Sequence, residues 1–169
     1  SGAGNVGIHA ALKAQALGGM IVGISDSTAY LYDENGLDIS DIILHKVTNQ
    51  LPLESYHNQK QVHQDDQFWH HPCEIALPCA KEDDITLEDI QILHQNGVKV
   101  VAEGANIAVK SDAIHYMKNN KIMFGPGKAA NAGGVFVSAL EIEQNRTFHQ
   151  WHPEVVDDKL KTLMNNLFH

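Results

Sequence analysis

The chain has 169 residues, 43% of them hydrophobic and 20% charged, an ordinary balance for one domain with a real core. A net charge of −9 and a pI near 5.6 argue against nucleic acid or an anionic membrane as partner. No apolar run approaches the ~18 residues of a membrane helix and no secretory signal is visible, so a reducing cytoplasm is the expected compartment.

Ser1-Gly2-Ala3-Gly4-Asn5-Val6-Gly7 has the G-x-G-x-x-G spacing of a dinucleotide-binding turn. Such a turn normally follows a strand and opens a helix. The helix is expected over Val6 to Leu17, closed by Gly18-Gly19. The strand before it lies outside the chain. Met20 to Ile24 reads as a buried strand ended by Ser25-Asp26-Ser27, and Tyr30 to Gly36 as a loop. Asp38 to Val47 looks helical, with Asp38 or Ser40 as N-cap. Thr48 to His71 is polar and irregular, with one short strand near Gln61-Val62. Glu74 to Leu77 is the next strand. Thr86 and Asp89 form a capping box for a helix that runs to Asn96-Gly97. Strands at Val98 to Ala102 and Ile122 to Phe124 bracket a helix capped by Ser111. A glycine-rich turn precedes a helix over Asn131 to Gln144. Pro153 opens the last helix, whose apolar residues Val156, Leu160, Leu163, Met164 and Leu167 share one face.

Short strands alternating with helices predict an α/β fold of the Rossmann-like, doubly wound type, with a mostly parallel sheet. The chain 1–169 reads as one such domain. Its first central strand is missing, and removing a central strand would leave unpaired edges in the core. The expectation is therefore a C-terminal part of a longer protein.

Several residues carry candidate chemistry. Gly2 allows a tight turn, Gly4 admits a pyrophosphate to the backbone, and Gly7 permits close packing of the helix. Asp26 follows Gly7 by 19 residues, near the ~20 expected of a ribose-binding acid. Three further loops follow predicted strands: Pro78-Cys79-Ala80, Glu103-Gly104-Ala105-Asn106, and Pro126 to Gly134. Ligands of open α/β sheets bind at that end of the strands. Only one arginine, Arg146, is present, so a phosphate must be held by amides, hydroxyls or lysine. The chain has 11 histidines but lacks zinc-type Cys/His spacing, and no metal ligands are assigned. Cys73 and Cys79, about 20 Å apart if the run between them is extended, read as two reduced thiols.

GAGNVG, SDSTAYLYDENG, IALPCA, VAEGAN, FGPGKAANAGGV and SALEIEQN together resemble the coenzyme domain of hexameric glutamate dehydrogenases, within the glutamate/leucine/phenylalanine/valine dehydrogenase family. The resemblance runs from residue 1 to about residue 145 and leaves Thr48 to Pro72 uncovered. It implies reversible oxidative deamination of L-glutamate to 2-oxoglutarate and ammonia, with NADP slightly preferred over NAD. Gly2, Gly4, Asn5 and Val6 are implied at the pyrophosphate. Ser25, Asp26 and Ser27 are implied at the adenosine ribose, where Asp26 would bond the 2′-hydroxyl of NAD and Lys46 would receive the 2′-phosphate of NADP. Ala80 and Gly104 would line the groove, Asn106 and Asn131 would bond the nicotinamide end, and Ser138 would contact the substrate side-chain carboxylate. The family's catalytic lysine and aspartate belong to a separate upstream domain, so no catalytic residue is assigned here, and Lys128 is read as a turn residue. Departures from the family pattern are Lys81 in place of a threonine and Ile107-Ala108-Val109 in place of Met-Pro-Thr. The alternatives are a sibling dehydrogenase of branched-chain or aromatic amino acids, which Ser138 disfavours, and a non-catalytic nucleotide-sensing module.

Overall fold

A computed structural model describes residues 1–148 and 150–168. Helix α1 (Asn5–Ala16) buries Gly7, Ile8 and Ala11. It ends where the paired glycines predict. Gly18 takes φ +89, its N–H donates to the Gln15 carbonyl, and the Gly19 N–H reaches back to the Ala14 carbonyl. Strand β1 (Gly23–Ser25) begins later than the apolar run suggests. The carbonyls of Ile21 and Val22 instead accept from Leu37 and Asp33.

Tyr30 to Tyr32 is a strand, not the expected loop. This β2 (Tyr30–Tyr32) pairs antiparallel with β1, setting Ile24 opposite Leu31. The turn signal of Asp33-Glu34-Asn35-Gly36 acts one step later, where Asp33 Oδ1 accepts from the Asn35 N–H and the Gly36 N–H bonds the Asp33 carbonyl. β3 (Val62–His63) joins the other edge of β2, also antiparallel, near the position expected for it. Between them Asp38 caps α2 (Ile39–Ile43), which widens into a π turn over Leu44–Thr48.

The second sheet is parallel, as the strand–helix alternation requires. β4 (Ile75–Ala76), β5 (Val100–Ala102) and β6 (Met123–Gly125) pair in that order. α3 (Leu87–Gln95) carries the capping box of Thr86 and Asp89 and links β4 to β5. α4 (Ser111–Asn119) links β5 to β6; Ser111 is its first residue, and Lys110 occupies the N-cap without a side-chain bond. The helix expected from Asn131 is divided into α5 (Gly127–Ala130) and α6 (Gly133–Thr147), interrupted at Asn131-Ala132. α7 (Pro153–Phe168) packs against α6.

Each sheet has its own core. Ile8, Ile24, Leu31, Ile39, Ile42 and Leu53 fill the first; Ile85, Ile90, Leu93, Val101, Val109 and Met117 fill the second. Among the described residues β1 pairs only with β2 and β4 only with β5, so each has an unpaired edge. A groove of about 540 Å³ is lined by residues of both strands, by Gly7, Ala10 and Ala11 of α1, and by Phe68 and Trp69. No described helix is long and apolar enough to cross a membrane.

Candidate functional site

The glycine turn is built from contacts that only glycine permits. Gly2 takes φ +83, in the left-handed region, and a Cβ there would lie 3.0 Å from the Ala80 backbone. A Cβ on Gly7 would fall 1.7 Å from the Gly2 carbonyl oxygen. Gly4 is different, since a Cβ there would meet nothing within 4 Å. The protein does not fill that space. Gly4, Asn5 and Val6 are exposed, and the first-turn amides of α1 open into it without a side-chain cap. This is the donor set and clearance a pyrophosphate requires.

The loops after β4 and β5 pack on that turn, and the loop after β6 bonds the loop after β5. The Cys79 N–H donates to the Ser1 carbonyl, and the Gly104 and Ala105 N–H groups both donate to the Pro78 carbonyl at 2.9 Å. A Cβ on Gly104 would lie 2.4 Å from Cys79 Sγ and 3.2 Å from Val6 Cγ1. Thus Gly2, Val6, Ala80 and Gly104, assigned separately from sequence, form one wall. Burial pushes the thiols of Cys73 and Cys79 above their usual range, and both are unbridged packing groups. Farther along, Asn131 Nδ2 donates to Asn106 Oδ1 at 3.0 Å, joining the two asparagines predicted for the nicotinamide end. The loop between them departs from the family pattern at Ile107, a β-branched residue at φ +50 and 64% exposed.

At the opposite end Asp26 is already fully engaged. Its Oδ1 accepts from Thr28 N, Thr28 Oγ1 and Ala29 N, and its Oδ2 accepts from Leu53 N and from Lys46 Nζ at 2.5 Å. Burial raises its pKa, but the Lys46 and Thr28 bonds outweigh that and hold the carboxyl at about 2. Five donors thus share its two oxygens. It folds the turn after β1 and anchors Lys46. Ser25 Oγ accepts from the Gly2 N–H, tying this end to the glycine turn, whereas Ser27 is exposed. Ser138 lies on the exposed face of α6 and makes no hydrogen bond among the described residues.

The chain matches the Glutamate/Leucine/Phenylalanine/Valine dehydrogenase family model over residues 1–169. It belongs to that family. Its relatives include the NADP-specific glutamate dehydrogenase of Psychrobacter sp. (strain TAD1), 40% identical over 99% of this chain and 38% of that protein. The NADP-specific glutamate dehydrogenase of Helicobacter pylori (strain J99) is 38% identical, over 99% of this chain and 40% of its own length. The crystal structure of Plasmodium falciparum glutamate dehydrogenase superposes with a TM-score of 0.88 at 37% identity, covering 98% of this chain and 37% of that one. The chain therefore spans about two fifths of the length of the relatives it matches.

The sequence marks the loop from Glu103 to Asn106 but gives Glu103 itself no role. Glu103 ends an apolar strand and is only 5% exposed, and its carboxylate accepts from the backbone N–H groups of Val109 and Gly127. An acid following Val-Val-Ala within a small-residue loop was the available signal.

Proposed function

We propose that the chain is the coenzyme-binding domain of a longer NADP-dependent glutamate dehydrogenase, which interconverts L-glutamate with 2-oxoglutarate and ammonia. The observation that carries this reading is the run of contacts from the glycine turn, with its exposed first-turn amides, through the loops after β4 and β5 to the loop after β6. When bound, the coenzyme supplies the acceptor for hydride from the substrate α-carbon. The residues of this chain bind and orient it. First-turn amides of α1 face the pyrophosphate, while Asn106 and Asn131 present amide groups to the carboxamide of the nicotinamide. Ser138, exposed and with no side-chain hydrogen bond among the described residues, offers its hydroxyl to the substrate side-chain carboxylate. The catalytic acid–base groups come from the remainder of the protein, and the full enzyme assembles as a homohexamer.

The Asp26–Lys46 pair supports NADP over NAD. A bare aspartate would repel a 2′-phosphate. Here the charge of Asp26 is offset by an ammonium at 2.5 Å, and its oxygens are occupied. Lys46, 25% exposed, keeps donors free for a phosphate. The test is steady-state oxidation of glutamate by the full-length protein with each coenzyme, followed by absorbance of the reduced form. Higher kcat/KM with NADP is expected. A large preference for NAD overturns the coenzyme assignment, and absence of turnover with glutamate overturns the reaction. The isolated chain is expected to show no turnover.

A further inference from the structure

Glu103 is a buried carboxylate that takes part in none of the ion pairs among the described residues. Burying an unpaired charge is costly unless its oxygens are well bonded. Glu103 meets that condition in a particular way. Its N–H still belongs to the sheet, donating to the Gly125 carbonyl at 3.0 Å. Its Oε1 accepts from Val109 N at 2.8 Å and its Oε2 from Gly127 N at 2.6 Å. Val109 closes the loop after β5 that carries Asn106. Gly127 opens the short helix that leads to Asn131. One carboxylate thus fastens both loops, which also meet through the Asn131–Asn106 bond, to the end of a central strand. The packing around Gly127 is correspondingly tight. A Cβ there would lie 3.1 Å from Asn131 Nδ2, 3.2 Å from Glu103 Oε2 and 3.4 Å from the Ala105 carbonyl.

We propose that Glu103 is a positioning residue, whose two backbone bonds set the separation of Asn106 and Asn131 and so order the nicotinamide half of the coenzyme. The inference rests on the function proposed above. The Asp26–Lys46 end is held by separate contacts, so the effect of losing Glu103 is confined to one half of the coenzyme. Glutamine is the informative replacement. It keeps the shape but sets an NH2 group against one of two N–H donors, and that loop is released.

The test uses the full-length protein and its Glu103→Gln variant. Affinity for NADPH is measured beside affinity for 2′-phospho-ADP-ribose, which lacks the nicotinamide. NADPH binding is expected to weaken about tenfold, the order of one lost charge-assisted bond, while the truncated ligand binds as before. Equal weakening of both ligands, or of neither, overturns the proposal. Amide hydrogen exchange in segments 104–110 and 126–131 is expected to quicken in the variant, and unchanged exchange also overturns it. Exchange decides the latch even if the wild-type protein binds no NADPH, a result that would instead refute the coenzyme assignment. If Glu103→Gln does not fold, Gly127→Ala takes its place. It crowds the same carboxylate and Asn131 without burying a mismatched amide, and the same split between the two ligands is expected.

Discussion

Gly4 and Gly7 occupy one motif for opposite reasons, and substitution separates them. At Gly7→Ala the new methyl collides with a carbonyl oxygen that belongs to the turn itself, so the turn must open. A loss of about 1–3 kcal/mol or more in urea unfolding is expected, the range of overpacking a tight site. At Gly4→Ala the methyl enters space the protein leaves free. Stability should stay within about 0.5 kcal/mol, while NADPH affinity falls severalfold because the pyrophosphate loses that clearance. Equal stability losses at the two positions would contradict the geometry. Asp26 invites a different test. Its pKa of about 2 lies below the ordinary 3.8, so the folded state releases the proton more readily than the unfolded one. That contribution is present above pH 4 and is lost as the pH falls toward 2. Asp26→Asn should flatten the acid limb of the stability curve over that window and should lower stability at neutral pH, since Lys46 loses its partner. These residues were legible because motif spacing encodes backbone clearance. The saturation of Asp26 was not, since its donors come from Thr28, Ala29, Lys46 and Leu53, which only the fold assembles.

At the scale of elements, the parallel sheet was readable throughout, and in the antiparallel sheet β1 and β3 were readable but β2 was not. β4, β5 and β6 are short runs alternating with helices, and the capping box of α3 fixes where the first of those helices starts. β2 carries two tyrosines beside a strong turn sequence, and its identity depends on partners distant in the chain. Those partners are largely aromatic. Tyr30 stacks on His63 with centroids 4.9 Å apart, Tyr32 stacks on His71 at 3.9 Å, and His71 Nε2 meets the Tyr30 hydroxyl at 3.0 Å. Tyr30 donates to Asp65. Burial, followed by the nearby His63, depresses the His71 pKa below its usual 6.5, against the opposing pull of Asp65. The sign then follows. A base whose folded pKa is lowered contributes stability above its unfolded value, and that contribution is lost as acid protonates it. Acidification from pH 7 to pH 5 should therefore loosen the packing of residues 62–71 on β2. Faster amide exchange there at pH 5, corrected for intrinsic rates, is the measurement. His71→Phe keeps the ring stack and removes the titration, so its pH 7 and pH 5 exchange should agree. A variant that loosens like the wild type would show that another group is responsible.

Taken whole, the molecule contains two small sheets facing a groove, and this arrangement has an energetic consequence. β1 and β4 each expose one unpaired edge, and both line the same groove of about 540 Å³. Its walls include Ile24, Ile75, Leu77, Phe68 and Trp69, apolar groups that a single further strand would cover. A strand there would join two three-stranded sheets into one continuous sheet and satisfy backbone groups on both sides. The Ser1 nitrogen donates to the Leu77 carbonyl at 2.8 Å beside that groove. The prediction concerns a segment of six residues fused before Ser1, long enough to span about 20 Å when extended. A central strand is covered on both faces, so the segment should be a continuous Val/Ile run and not an alternating one. Burial of a few such side chains contributes roughly 1.5–3 kcal/mol each before the entropy of ordering the segment is subtracted. The net gain expected in urea unfolding is about 2–4 kcal/mol over a Gly/Ser segment of the same length, with a larger m-value because more surface is exposed on unfolding. Equal stability of the apolar and Gly/Ser extensions would mean that the groove does not accept a strand.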